Sequence, residues 1–161
     1  MSARTAVARG ARNRARRGQA LVEFALAAPV LLMLILGMID FARAWNVYQV
    51  ITDTARQAAR QCAINQEPTP LTWDQVMTTV VNPRMGNAGL DIAAANVVPL
   101  DETRTENPAV CPATRDDASP LKAVTVRIEY PYELGWIGVL VRLAGGDNVV
   151  TLTTEFTMWN E

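Results

Sequence analysis

The sequence predicts an α+β protein in which a long N-terminal transmembrane helix continues into an exported head with an antiparallel sheet. Three observations carry this prediction. An apolar run follows an Arg-rich start, a helical apolar seam follows the run, and two segments near the C-terminus alternate apolar and polar residues. We expect four segments along the 161 residues: a leader at 1–18, a membrane span at 19–40, a helix extension at 41–64 and a head at 65–161.

Charge is distributed unevenly between the leader and the rest of the chain. Residues 1–18 carry six arginines and no acidic residue, although the whole chain has 15 basic and 16 acidic side chains. A nucleic-acid-binding arm and an organelle transit peptide share this composition, but the apolar segment that follows favours a basic cytoplasmic flank. By the positive-inside rule, the N-terminus is then cytoplasmic and the chain beyond about residue 41 lies outside. We therefore expect no nucleic-acid partner.

The apolar run is long enough to cross a membrane. Residues 20–39 would form a helix of about 30 Å, which is the thickness of the hydrocarbon core of a bilayer. Glu23 is the only charged residue in this window. A buried helix of a soluble protein is the alternative, but no other segment is apolar enough to surround this one. We therefore expect a single-pass membrane protein with the lipid bilayer as a partner.

The predicted helix continues beyond the membrane along a seam of apolar residues. The seam steps by three or four residues and consists of Phe41, Trp45, Tyr48, Ile51, Ala55, Ala58 and Cys62. No Gly or Pro interrupts residues 38–66, so residues 19–64 are predicted to form one helix. We expect the seam to pack on the protein's own head or on a neighbouring subunit.

Local patterns divide the head into elements. Thr72 and Gln75 resemble a capping box, and the helical pattern that follows is predicted to stop at Pro83. Residues 97–100 suggest a short strand and residues 101–120 a polar loop. Residues 124–130 and 150–158 alternate, which predicts two strands of an antiparallel sheet laid on a helix. Between these strands, residues 134–143 form an apolar excursion, closed by a turn signal at residues 145–148.

Composition excludes most catalytic and metal-binding chemistry. The chain has no His, which removes imidazole bases and ligands, and two cysteines are too few for a four-thiolate zinc site. Acidic residues of the polar loop offer oxygen ligands for calcium, but their spacing matches no calcium loop. These residues are Asp101, Glu102, Glu106, Asp116 and Asp117. We expect no enzyme activity, no catalytic residue, no cofactor and no metal.

Cys62 and Cys111 both lie outside the cytoplasm in the expected orientation, where a disulfide is permitted. We predict that they are joined, rather than present as two free thiols. The bond would close a loop of about 50 residues and stabilise the head by about 4 kcal/mol on the chain-entropy treatment. We expect the tryptophans to anchor the protein at the membrane interface (Trp45) or to fill the core.

The junction of leader and span carries the most informative residues. A carboxylate such as Glu23 is costly in a membrane helix, by about 2.5–3.5 kcal/mol at mid-membrane and by less near the interface. It is either an acid tolerated near a helix N-terminus, where the helix dipole favours it, or the partner of a positive charge. A cut after Gly18 would expose an α-amine on Gln19, one helical turn away. Glu23 could then pair with that amine in its own chain or in a neighbour.

Gly18 followed by Glu23 and Phe24 resembles the processing site of type IV prepilins. The larger block of residues 17–60 is similar to the TadE-like pilus-assembly family, which comprises pseudopilins of the tight-adherence (Flp) pilus. The block also contains Pro29, Gly37, Asp40, Phe41 and the segment 55–60. The resemblance implies a pilin-like fold, in which a long helix packs on an antiparallel sheet.

The same resemblance implies a processing step and a set of partners. A prepilin peptidase would cut between Gly18 and Gln19, with Glu23 and Phe24 completing the processing site. The protein would be a minor pilin or assembly factor in the inner membrane of a bacterium, with the head in the periplasm or outside the cell. Its partners would be other pilins and pilus-assembly membrane proteins.

Two other interpretations stay open. Ala42-Arg43-Ala44 has the small-x-small pattern of a signal-peptidase site, which would make the protein a secreted one. The length of such a leader, Glu23 within its apolar region and the unbroken helical pattern count against this interpretation. A TadE-like segment also anchors exported domains of other roles, so the alternative function is a cell-surface protein unrelated to pili.

Overall fold

A single long helix and a three-stranded sheet dominate the structure, a computed structural model that describes residues 3–64, 71–101, 103–108, 111 and 123–159, with the backbone alone for residues 3–18. The elements in chain order are helix α1 (Ala3–Ala63), helix α2 (Trp73–Val76), a π-helical turn (Met77–Val81), helix α3 (Asn82–Asn87), a 3₁₀ turn (Ile92–Ala94), strand β1 (Asn96–Leu100), strand β2 (Ala123–Glu133), helix α4 (Trp136–Leu143) and strand β3 (Val149–Trp159). A long apolar helix followed by an antiparallel sheet confirms the predicted α+β, pilin-like class.

Helix α1 is longer than the sequence predicts. It begins at Ala3, within the basic leader, and ends at Ala63, so its 61 residues extend over about 90 Å. The prediction placed its start at residue 19. Ala and Arg dominate residues 3–18 and are among the strongest helix formers, which explains why the helix continues through the leader.

The sheet has the order β1-β2-β3, and both strand pairs are antiparallel. Val126 in the central strand pairs with Pro99 of β1 and Phe156 of β3. The predicted strands at 97–100, 124–130 and 150–158 are thereby confirmed. Val124, Val126 and Ile128 are fully buried, because this face of β2 packs on the long helix.

The core lies between this face of the sheet, the C-terminal part of α1 and the short helices. Helix α1 contributes buried Ile51 and a series of small residues, which let the sheet approach the helix closely. The small residues are Ala55, Ala58, Ala59 and Cys62. The segment from α2 to α3 closes the core with Trp73, Val76, Val80, Val81 and Met85.

The helical segment that starts at α2 does not stop at Pro83, so this prediction is wrong. The chain widens into the π-helical turn, where the backbone N–H of Asn82 donates to the carbonyl of Met77, and continues as α3 to Asn87. Pro83 occupies the first turn of α3, where its missing N–H is not needed. The capping contact at the start is present, since the Thr72 N–H donates to Oε1 of Gln75 at 2.9 Å.

The apolar excursion at residues 134–143 forms helix α4 between β2 and β3. The helix ends where Gly145 adopts a φ of 82°, a conformation open to glycine. The N–H of Gly146 donates to the Val141 carbonyl and that of Gly145 to the Arg142 carbonyl, both at 2.9 Å. These two hydrogen bonds form a Schellman motif, which satisfies two of the last carbonyl groups of α4.

Candidate functional site: the membrane boundary of helix α1

The four residues of the expected processing site lie on α1, with no break in the helix between leader and span. Gln19, Glu23 and Phe24 are all exposed. Gln19 and Glu23 are one helical turn apart and share a face. Within the part of the chain that the structure describes, the Glu23 carboxylate has no hydrogen-bond or ion-pair partner.

Almost all of the apolar run of α1 lies outside the contact with the head, which reaches the run only near its end, at Gly37. The helix from Gln19 to Ala63 contains a stretch long and apolar enough to cross a membrane, and none of that stretch is buried in the protein. Most of its large side chains from Leu21 to Ile39 are exposed, and Leu36 is half-buried. A helix with this surface is compatible with a membrane anchor.

The apolar seam beyond the run divides into two parts. Ile51, Ala55, Ala58 and Cys62 are buried against the head, as predicted. A second set, which we call the aromatic row, consists of Phe41, Trp45 and Tyr48 and stays 69%, 53% and 37% exposed. Its ring centroids lie 6.3 and 6.0 Å apart along the helix. The aromatic row is therefore not part of the packing surface between α1 and its own head.

In the same two turns of α1 as the aromatic row, the helix face that meets the head carries Asp40, Ala44 and Val47. These residues precede the aromatic positions by one and lie about 100° around the helix from them. Asp40 is the unexpected member, because its carboxylate is only 2% exposed.

The Asp40 carboxylate caps helix α4. Its Oδ2 accepts a hydrogen bond from the backbone N–H of Ile137 at 2.8 Å. The N-cap residue of α4 is Gly135, which has no side chain, so Asp40 supplies from α1 the acceptor that an N-cap side chain normally provides. A Cβ on Gly135 would lie 2.8 Å from Oδ1 of Asp40, and one on Gly37 would lie 3.0 Å from Cδ1 of Ile137. Two glycines thus permit the close contact.

Tyr132 and Arg43 share the surroundings of the Asp40 carboxylate. Burial raises the pKa of the Tyr132 hydroxyl, the negative charge of Asp40 raises it further, and the positive charge of Arg43 opposes both. Oδ1 of Asp40 is buried and has no hydrogen-bond partner among the described residues. The positive end of the α4 dipole is the compensation that the structure provides for this charge.

Family comparison identifies the segment that carries these features. Residues 18–60 match the family model of the TadE-like protein. This TadE-like segment begins at Gly18, the expected cleavage residue, and contains both Glu23 and Asp40. At the level of the family, the match supports a protein associated with the tight-adherence pilus. No curated protein matches the chain, and no solved structure matches it.

The disulfide lies just beyond the TadE-like segment. Cys62, at the end of α1, is joined to Cys111, with a Cα–Cα distance of 4.8 Å and a separation of 49 positions. Both residues are buried. The predicted pairing is confirmed, and it fastens the loop region of the head to the end of the long helix.

In the described part of the acidic loop, Asp101 makes hydrogen bonds within the loop itself. Oδ1 of Asp101 accepts from the backbone N–H groups of Thr103 and Thr105, both at 2.9 Å, and from the Thr103 hydroxyl at 2.6 Å. These hydrogen bonds hold the pKa of Asp101 below its usual value, the one from the Thr103 hydroxyl most strongly. Glu102, Asp116 and Asp117 lie outside the described residues. Among those described, no three potential ligands converge on one point.

The tryptophans depart in part from the expectation. Trp73 fills the core as predicted, at 9% exposure. Trp136 at the start of α4 and Trp159 at the end of β3 are largely exposed, so core filling is wrong for both. The alternation of residues 150–158 places Trp159 on the polar face of β3, which is the outer face in the structure. The sequence analysis assigned no role to Asp40, although the sequence marks this residue as the first charged one after the apolar run.

Proposed function

We propose that this protein is a minor pilin or assembly factor of a tight-adherence (Flp) type IV pilus, without enzymatic activity. The observation that carries the proposal is the TadE-like match at residues 18–60, which starts at the expected cleavage glycine and covers an apolar helix that the head leaves exposed. In this proposal the leader is cytoplasmic, α1 crosses the inner membrane, and the head is exported. The disulfide supports an exported head, because such bonds persist in oxidising compartments.

A prepilin peptidase is proposed to remove residues 1–18. The cut would separate the Arg-rich leader from the rest of α1 and leave Gln19 as the first residue. Gly18 suits the cleavage position because a side chain there would crowd a backbone that has to approach the catalytic site closely. The apolar run is untouched by the cut, so the processed protein stays in the membrane.

A signal-peptide cut after Ala44 is disfavoured by the contacts of α1. Such a cut would remove Asp40 and with it the hydrogen bond to Ile137 that caps α4. It would also end α1 just before Val47, which packs against the core. A cell-surface role unrelated to pili is compatible with the same anchored protein, since the match covers about a quarter of the chain and none of the head.

N-terminal sequencing of the protein from the membrane fraction tests the proposal. In cells with a prepilin peptidase, we expect the sequence to begin Gln-Ala-Leu, and the Gly18→Val variant to remain a full-length membrane protein. A wild-type chain that starts at Met1, or at Trp45, would contradict the processing step. Co-purification with sheared pili or crosslinking to pilus-assembly proteins then separates the pilus role from the cell-surface alternative.

A further inference from the structure

We propose that α4 is an interfacial membrane helix that rests the head on the outer leaflet of the membrane. Its outward side, which we call the outer face of α4, consists of Trp136, Val139, Leu140 and Leu143. The inference rests on the proposed function, because it requires α1 to span the membrane. It adds a second contact between the protein and lipid, made by the head itself.

The outer face of α4 is apolar although nothing in the described chain covers it. Its four residues are 61%, 59%, 38% and 81% exposed and recur at intervals of three, one and three, which places them on one side of a helix. The other side is apolar too, since Gly138 is buried and Ile137 packs next to Gly37. A helix on the surface of a soluble head would present polar residues outward.

The attachment of α4 places this face at the membrane boundary. Gly37 belongs to the apolar run, and Asp40 is the first charged residue after it; both contact the N-terminal turn of α4. The eight residues of α4 extend over about 12 Å, so no part of the helix is far from the level of Asp40. Continuity with the spanning segment therefore favours lipid as the occupant of this face.

The residue types match the headgroup layer. Trp136, at the start of the helix, has the amphipathic ring that is enriched at membrane–water interfaces. Arg142 in the last turn of α4 and Arg43 on α1 are both exposed and can reach phosphate groups while their stems lie along apolar surface. An apolar face flanked by arginines fits an anionic bilayer better than it fits a hydrophobic protein groove.

The sheet supplies a distant control for Trp136. Glu133 of β2 pairs with Val149 of β3 at the end of the sheet next to α4, whereas Ala123 pairs with Trp159 at the opposite end. Ten residue steps separate the two ends, a distance of about 33 Å. Trp159 is 60% exposed, much like Trp136, but it lies too far from the boundary to meet lipid.

The test is quenching of tryptophan fluorescence by brominated lipid. The full-length chain with Trp45→Phe is reconstituted into phosphatidylethanolamine–phosphatidylglycerol vesicles whose acyl chains are brominated close to the headgroup. We expect bromination to lower the emission, and an added Trp136→Phe to abolish most of that loss. An added Trp159→Phe should leave the loss unchanged. Leu143→Glu, at a position too exposed to disturb the core, should also reduce the quenching, because it places a charge on the outer face.

Each outcome bears on a different claim. Flotation of the vesicles shows separately whether the chain is anchored, and a chain that does not float would overturn the anchor and this inference together. A chain that floats while Trp136→Phe leaves the quenching unchanged would overturn the inference alone. A Trp136 shielded from both brominated lipid and aqueous acrylamide would mean that protein covers the face, which contradicts lipid as its occupant.

Discussion

The carboxylate of Asp40 accepts a hydrogen bond from the backbone N–H of Ile137 at 2.8 Å, across 97 positions of the chain. It joins the end of the apolar run of α1 to the first turn of α4. Because an anion at a helix N-terminus is favoured by both the free N–H groups and the helix dipole, this contact stabilises α4 from outside.

Asp40→Ala should loosen α4 without unfolding the head. Loss of an N-cap acceptor typically costs about 1 kcal/mol, and the cost here should fall on the first turn of α4. Hydrogen exchange of the α4 backbone amides measures it, with faster exchange expected in the variant. Asp53→Ala is the matched control, because Asp53 is an exposed acid on the same helix whose 3.9 Å pair with Arg56 contributes little. Equal protection of α4 in wild type and Asp40→Ala would contradict the capping role.

Gly135→Ala should disturb the same contact by steric conflict. We expect the free energy of unfolding to fall by about 1–3 kcal/mol, which is typical of overpacking. The added Cβ would lie 2.8 Å from Oδ1 of Asp40, so the carboxylate has to move and its bond to Ile137 weakens. Gly86→Ala is the control, since its Cβ would meet Ile92 at an ordinary 3.8 Å.

A double-mutant cycle sharpens this test. Once Asp40→Ala has removed the carboxylate, Gly135→Ala should cost much less, because the atom it collides with is gone. Thermal unfolding of the four proteins measures the coupling. Strictly additive effects would show that the two residues do not act on one another.

Removal of the disulfide should lower the stability of the head by about 4 kcal/mol. The Cys62–Cys111 bond fastens the described part of the loop region to the end of α1. We expect Cys111→Ser to make the head sensitive to protease and to lower its midpoint of thermal unfolding. Alkylation of free thiols before non-reducing electrophoresis checks the bond itself, and two alkylated cysteines in the wild-type protein would refute it.

The parts of the fold that follow from local patterns were predictable, and the parts that depend on which helix face meets the sheet were not. Alternation predicted the strands at residues 124–130 and 150–158. The length of the apolar run predicted the long helix. The aromatic row was assigned to the packing seam because a period of 3.5 residues fits two adjacent faces equally well. In the structure the face that meets the head carries Asp40, Ala44 and Val47, and the large rings lie on the adjacent, exposed face.

The candidate site divides in the same way. The TadE-like segment and the pairing of Cys62 with Cys111 were predictable, because each rests on residue identity. The processing role of residues 18–24 stays a prediction. The cap of Asp40 on α4 was not, since its two partners lie 97 positions apart and α4 had no helix signal beyond its apolar character. Pro83 was misread because a π-helical turn before it removes the conflict that normally ends a helix.

Acid should loosen the turn at residues 101–105. The folded state lowers the pKa of Asp101, so the stabilisation it provides is complete above the ordinary value of about 3.9 and is lost as the pH falls towards the folded value. The amide protons of Thr103 and Thr105, which donate to Oδ1 of Asp101, should exchange faster over that range. Asp101→Asn should abolish this pH dependence, and a variant that kept it would assign the effect to another acid.

The charge of Glu23 should matter after processing more than before it. The side chain is exposed and without a partner in the described chain. The proposed cleavage after Gly18 would offer it one in the α-amine of Gln19. Glu23→Gln keeps the size and removes the charge, so membrane insertion should be unchanged or slightly better. Assembly should fall, because an amine then enters the apolar layer unpaired.

The measurement is the ratio of processed protein in sheared pili, or crosslinked to pilus-assembly proteins, to processed protein in the membrane. Asp53→Asn is the control, because it removes an exposed charge from the same helix outside the apolar run. We expect this ratio to fall for Glu23→Gln and to stay at the wild-type value for Asp53→Asn. Since Gly18 is intact in both, an unchanged N-terminus at Gln19 would show that the defect arises after cleavage. Normal assembly by Glu23→Gln would leave Glu23 as an acid that the helix dipole tolerates near the membrane surface.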